Sequence, residues 1–168
     1  MALVPCRECQ RDVSNIARTC PQCGVPFPGR PHWQGTGYDW KSRAMLWGIP
    51  LVHVAYGRDA RGKLRVAKGV IAIGQFGIGA ITIAQFGIGV LFGFGQFMLA
   101  LTAIAQVALT PLCGLGQLAT GYIAIGQMAI GYYALGQFAY GVYVWGTNQR
   151  DPAALEFFMR VLPFVRRR

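Results

Sequence analysis

From residue 69 to residue 149 the chain runs for 81 residues without one Lys, Arg, Asp or Glu, and inside that interval a small residue returns every five positions. Gly69, Gly74, Gly79, Ala84 and Gly89 lead, after a step of six, to Gly95, Ala100, Ala105 and Thr110. A second step of six opens the run from Gly116 to Gly146. Two places after most of these markers stands a larger apolar side chain, as at Ile71, Phe76, Ile81, Phe86, Phe97, Leu118 and Phe138. A fixed short period over so many residues is the mark of a repeat architecture, in which each unit buries its surface against its neighbours. Composition agrees: 54% of residues are hydrophobic, 13% are charged and 23 are Gly, which excludes both a disordered tail and a solubilised helical bundle.

Glutamines supply an independent register at Gln75, Gln85, Gln96, Gln106, Gln117, Gln127 and Gln137, with spacings of 10, 11, 10, 11, 10 and 10. Taken alternately they give steps of 20 or 21. The expectation is a mainly β chain, with a β-solenoid of four short sides, about 20–21 residues per coil and two stacked glutamine ladders over 69–149. Amides stacked in this way can hydrogen-bond from coil to coil, and small markers allow the backbone to turn closely. About four such coils give a stack on the order of 20 Å high.

The triplets Gly74-Gln75-Phe76, Gly116-Gln117-Leu118 and Gly136-Gln137-Phe138 resemble those of pentapeptide-repeat proteins. That resemblance implies a right-handed quadrilateral β-helix, with a small residue two places before a central Leu or Phe. On positions usually polar in that family this chain carries Ile73, Ile78, Ile83, Ile88, Ile125 and Ile130, which makes these residues candidate assembly faces. The alternative architecture is a multi-helix membrane domain, since the charge-free interval has room for three spans of about 20 residues. Periodicity opposes it, because a ten-residue step would carry successive glutamines around a helix instead of along one face.

At the amino end, Cys6, Cys9, Cys20 and Cys23 form two C-x2-C hooks. Such spacing lets four thiolates surround one structural Zn2+ with no position left open for substrate, and it resembles a zinc ribbon with rubredoxin-like knuckles. Metal binding compensates for the small core that about 25 residues can build. Paired hooks suit coordination better than redox exchange, and thiolate ligation favours a reducing compartment. Arg7, Arg11 and Arg18 raise nucleic-acid binding as a weaker reading, without a base-reading helix to support it.

The expected domains are a zinc ribbon at 1–25, a linker and amino-terminal cap at 26–68, the repeat at 69–149 and an amphipathic helix at 150–168. Net charge follows these limits: +7 over 1–68, zero over 69–149 and +3 over 150–168, for a total of +10. Pro26, Pro28 and Pro31 exclude a continuous helix in the linker. His53 in PLVHVAY reads as a packed or hydrogen-bonded histidine, and His32 as a linker contact. Asp39, Arg58 and Asp59 carry no motif spacing. In the last segment Asp151 caps a helix that Pro152 begins, and Leu155, Phe158 and Leu162 share a face. Arg166, Arg167 and Arg168 give a basic end, so the segment reads as a lid on the last coil or, alternatively, as a contact to anionic membrane.

Together these features point to a noncatalytic scaffold. Its apolar faces make homo-oligomer or filament contacts, and no small-molecule substrate is implied. The rival is a membrane-associated adaptor whose zinc ribbon binds protein or nucleic acid. The expected location is cytoplasmic, with membrane association as the alternative.

Overall fold

The computed structural model describes residues 2–162, so Arg166, Arg167 and Arg168 lie outside the described residues. A short hairpin pairs β1 (Leu3–Pro5) with β2 (Asp12–Ser14). The linker leads to β3 (Thr36–Lys41), a minor hairpin of β4 (Met45–Leu46) and β5 (Ile49–Pro50), and β6 (Val52–Arg58), which lies antiparallel to β3. The repeat follows as β7 (Val66–Leu109) and β8 (Cys113–Trp145), and α1 (Pro152–Val161) ends the described chain.

Neither long β segment is straight. Drawn out at about 3.3 Å per residue, ten residues cover about 33 Å, yet a Cβ added at Gly79 would strike the carbonyl oxygen of Gly69. The same is true of Gly126 on Gly116, Gly136 on Gly126 and Gly141 on Gly131, so these marker positions leave no room for a side chain. Where one long segment meets the next the pairing is parallel and offset by eleven, Thr102 with Cys113 and Ala105 with Gly116. The chain therefore comes back alongside itself, in the same direction, every ten or eleven residues.

This register corrects the expected coil of 20–21 residues. A Cβ at Gly77 would lie 2.8 Å from Thr82 Cγ2 and 3.5 Å from Ala72 Cβ, so residues five apart face each other across a thin interior. Each return thus consists of two five-residue arms, not four, and the seven glutamines fall into one column instead of two. The stack is correspondingly taller: the rungs from Ala55 through Gly74 to Gly146 climb about 38 Å at roughly 4.8 Å per step.

The interior also differs from the one the pentapeptide resemblance implies. Phe86, Phe97 and Phe138 stand outside, and the inward position is the next one along, occupied by Ala103, Ala108, Ala119, Ala124, Ala129, Ala134 and Ala139, all buried. Where Gly87, Gly93 and Gly95 leave more room, Met98 fills it; its side-chain atoms lie within 3.2 Å of where a Cβ would stand at each of them. Alanine buries roughly one methyl group, worth about 0.8 kcal/mol. A core of alanines holds a stack together weakly, and the main-chain ladder between rungs must do the rest.

The multi-helix alternative fails, because the charge-free interval is β except at 110–112 and 146–149 and contains no helix. Among the described residues no helix is long and apolar enough to cross a membrane.

Both ends of the stack are finished. At the first rung β6 runs parallel to the start of β7, Val52 beside Ile71 and Ala55 beside Gly74. His53 is buried there: the Lys68 amide donates to Nδ1 at 2.7 Å, and Nε2 reaches Asp39 Oδ1 at 3.2 Å. Arg65 holds the other Asp39 oxygen at 3.0 Å. At the last rung the Asn148 side chain imitates a further strand, accepting from Ala139 N at 3.1 Å and donating to Ala139 O at 2.8 Å. The helix α1 then lies on the end, with Ala154 and Phe158 buried and Phe157 stacked on Tyr133 at 3.8 Å. Leu155 and Leu162 are half-buried beside them, as the amphipathic pattern anticipates.

Candidate metal centre and apolar flanks

The two cysteine hooks fold alike. The Gln10 amide donates to Cys6 O and the Gly24 amide to Cys20 O, each at 2.9 Å, while Cys6 N donates to Arg11 O and Cys20 N to Val25 O. Both hooks close through a left-handed residue, Gly24 at φ 73° and Gln10 at φ 60°. The first hook lacks the glycine of the second, yet Gln10 takes the same turn at the modest cost an unbranched residue bears there.

These turns bring the four Sγ atoms within 4.8 Å of one another. Cys6 to Cys23 and Cys9 to Cys20 are each 3.7 Å, too long for disulfides at about 2.05 Å. They match the edge of about 3.8 Å in a tetrahedron of thiolates bound at about 2.3 Å. The residues therefore fit one four-coordinate ion. Backbone amides tune the sulfurs: those of Cys23 and Gln22 lower the Cys20 thiol to about 6, and that of Cys9 leads the lowering of Cys6. The Val25 amide draws Cys23 down, but desolvation and the other three sulfurs outweigh it and push this thiol up to about 12.

The nearby arginines are engaged in structure. Arg7 donates to Trp33 O at 3.0 Å, to Pro26 O at 3.3 Å and to Ala60 O, so one guanidinium ties the first hook to the linker and to the loop before β7. Sequence reading missed this role, because Ala60 is 53 positions away. Arg11 reaches Gln22 Oε1 at 2.7 Å, and Arg18 is exposed. Asp59 receives the amides of Arg61 and Lys63 and closes their turn. Asp39, by contrast, joins His53 and Arg65. Burial works to raise its carboxyl, but the hydrogen bonds from His53 and Arg65 prevail and hold it below the ordinary carboxylate range.

The two arms carry different outer surfaces. Gln75, Gln85, Gln96, Gln106, Gln117, Gln127 and Gln137 share one arm with Ile78, Ile88 and Ile130, all three exposed. On this arm Phe76 stacks on Phe86 at 5.6 Å and Phe86 on Phe97 at 6.4 Å. These rings, with Ile78, Ile88 and Leu99, line a shallow groove of about 450 Å³. Of the seven amides, Gln75 accepts from Gly57 N at 3.2 Å. Among the described residues no glutamine of the column bonds to the next, so the expected amide-to-amide ladder is not made within the chain. Ile73, Ile83 and Ile125 fall on the opposite arm, where Ile83 is exposed and the other two are half-buried.

Among the described residues no nucleophile, base and orienting group converge on a cavity, and all four positions around the ion would be filled by sulfur. Comparisons with family models, with curated proteins and with solved structures find no match to this chain.

Proposed function

We propose that this chain is a noncatalytic structural scaffold: a two-armed β-solenoid of ten to eleven residues per coil, pinned at its first end by a four-cysteine zinc module and closed at its last by α1. Copies of the chain associate side by side through the glutamine arm. The observation that carries this reading is the column of glutamines, exposed from Gln85 to Gln137, beside a Phe and Ile groove, a polar ladder and an oily ladder on one flat surface, with half-buried Gln75 alone engaged at home. A second copy laid on that arm buries the groove and gives the amides partners, the self-complementary pattern of a two-fold contact.

Growth end to end into a filament is disfavoured, because Asn148 and α1 already occupy the last edge, where another strand would have to add. Zinc between the two hooks is structural: it fixes them to each other and, through Arg7, to the end of the stack on which they sit.

The mass of the intact particle tests the association. Light scattering on the full chain should give an assembled particle, and Ile78→Lys with Ile88→Lys should reduce it to the monomer while the β circular dichroism persists. An unchanged mass would move the contact off the glutamine arm.

A further inference from the structure

We propose that the arm opposite the glutamines faces the acyl chains of a phospholipid bilayer, with the axis of the stack along the membrane normal. This rests on the scaffold reading, in that a second copy then covers the glutamine arm and leaves the opposite arm outward.

Charge is the first argument. The stack bears none between Lys68 and Arg150, while Arg58, Arg61, Lys63, Arg65 and Lys68, with Asp59, crowd its first end and Arg150 and Arg160 stand with Asp151 and Glu156 at its last. The uncharged interval rises about 35 Å at 4.8 Å per rung, against about 30 Å of hydrocarbon and 40–45 Å with headgroups. Charged groups at both ends then lie at headgroup level, and the basic surplus of the first end meets anionic lipid there.

Hydrogen bonding is the second. A backbone inside lipid must satisfy every polar group internally. In this stack the main chain bonds along the axis, rung to rung, so its sides expose no unpaired edge. The hydroxyls follow the same rule: all five threonines of the interval donate to main-chain carbonyls, Thr82 to Ile88, Thr102 to Leu91, Thr110 and Thr120 to each other, and Thr147 to Gln137. On the opposite arm the outward side chains are otherwise Ile, Leu, Val, Phe, Ala and Tyr with Pro111, Cys113 and Trp145, among them exposed Ile81, Ile83, Val90, Leu91, Leu101 and Ile104, and toward the last end Phe157 of α1 covers Tyr133. The glutamines all stand on the other arm.

Aromatic placement is the third. Every Tyr and Trp of the chain lies in 33–56 or in 122–145, toward the two ends of the stack, and the rungs between carry Phe but neither of the other two. Trp40, Trp47, Tyr38 and Tyr56 are exposed at the first end, and Tyr122 and Tyr132 of the opposite arm toward the last. Rings with a polar tip collect at the two membrane–water interfaces, and Phe is tolerated throughout. Water or a second copy on this arm would have no reason to sort aromatics by height.

Polarised infrared spectroscopy of the full chain in supported bilayers of phosphatidylcholine with phosphatidylglycerol tests the proposal. In this orientation the strand carbonyls point along the normal, so the amide I dichroism should be that of carbonyls along the normal, and the protein should resist carbonate extraction. Carbonyls lying in the membrane plane, or a folded protein that carbonate removes, would overturn it. Ile83→Lys with Ile104→Lys, two cations in the middle rungs, should lower the bilayer-retained fraction by ~100-fold or more. Retention equal to the parent's would count against it, and if this pair does not fold the parent's dichroism still decides. Gln106→Leu with Gln117→Leu separates the two readings: it should reduce the mass of the detergent-extracted particle and leave retention intact. A monomer that stays in the bilayer refutes the side-by-side contact alone, whereas an assembled particle free of lipid, its opposite arm covered by another copy, refutes the lipid contact alone.

Discussion

The knuckle module and the stack face the same shortage, a core too small to hold them, and they answer it in opposite ways. The module gathers its stabilisation at one point, four sulfurs spaced to hold an ion, with Cys6, Cys20, Val13 and Val25 as its buried apolar cluster among the described residues. The stack spreads its own over many similar rungs, each burying a small amount, one alanine per arm from Ala119 to Ala139, and adding a row of main-chain bonds. A point support fails all at once; a distributed one loses a little at each step. That contrast orders the expected effects of mutation along the chain.

The largest effect should come from the point. Cys20→Ser with Cys23→Ser removes half of the ligands, and structural zinc sites contribute on the order of 10 kcal/mol to modules of this kind. Metal analysis should find no bound zinc, and amide exchange over residues 3–26 should lose protection while residues 69–145 keep theirs. If the stack also opens, the two regions are not separate supports. Acid should do reversibly what the serines do permanently. Thiolates bind the ion and thiols do not, so affinity falls as pH falls. With Cys23 held protonated up to about 12 in the metal-free site, uptake of zinc at neutral pH must release protons, measurable as a buffer-dependent heat.

The same contrast explains what could be read from the chain alone. Two C-x2-C spacings determine the metal site because the ion imposes one geometry on any four thiolates, and even Gln10, in place of a glycine, complies. The five-residue beat was equally legible, and so was the capped helix at Asp151 and Pro152. The number of arms per turn was not, because a beat of five is compatible with two sides or four. The clue was present: a glutamine on every second unit needs no alternation between columns if a turn holds two units. The inward position was hidden for another reason. Strands are normally oriented by apolar residues on one face and polar ones on the other, but in Phe76-Gly77-Ile78 or Met128-Ala129-Ile130 every candidate is apolar. Only size separates inside from outside, and the small residue goes in. The link from Arg7 to Ala60 left no local trace at all.

An intermediate effect should come from Met98, the largest of the fully buried side chains inside the coils. Met98→Ala empties the space that Gly87, Gly93 and Gly95 create, and such truncations in cores cost about 2–5 kcal/mol. In a distributed structure the loss should be local: amide exchange should rise on the rungs around 82–105 and fade toward Gly136. Uniform loss of protection from Val66 to Trp145 would show that the stack is one cooperative unit, and the distinction between the two regions would narrow. Larger side chains at the alanine positions sharpen the same point from the other direction, since Ala129→Leu has no glycines opposite to receive it, and overpacking typically costs about 1–3 kcal/mol.

The smallest effect concerns the helix at the end. Asp151 Oδ1 accepts from the Ala153 amide at 2.9 Å, while the Asp151 amide donates to Val144 O at 2.8 Å, so this residue both caps α1 and ties it to the last rung. Asp151→Ala removes the first bond and keeps the second, at a cost of about 1 kcal/mol. Asp151→Asn should recover most of it, because an amide oxygen accepts the same bond. If α1 does no more than complete the final coil, the loss should appear as faster exchange at Ala139 and Val144 and nowhere lower in the stack. Faster exchange at Ala119 or below would mean that the lid holds more than the rung it touches, and the stack would then share the all-or-none character of the metal site.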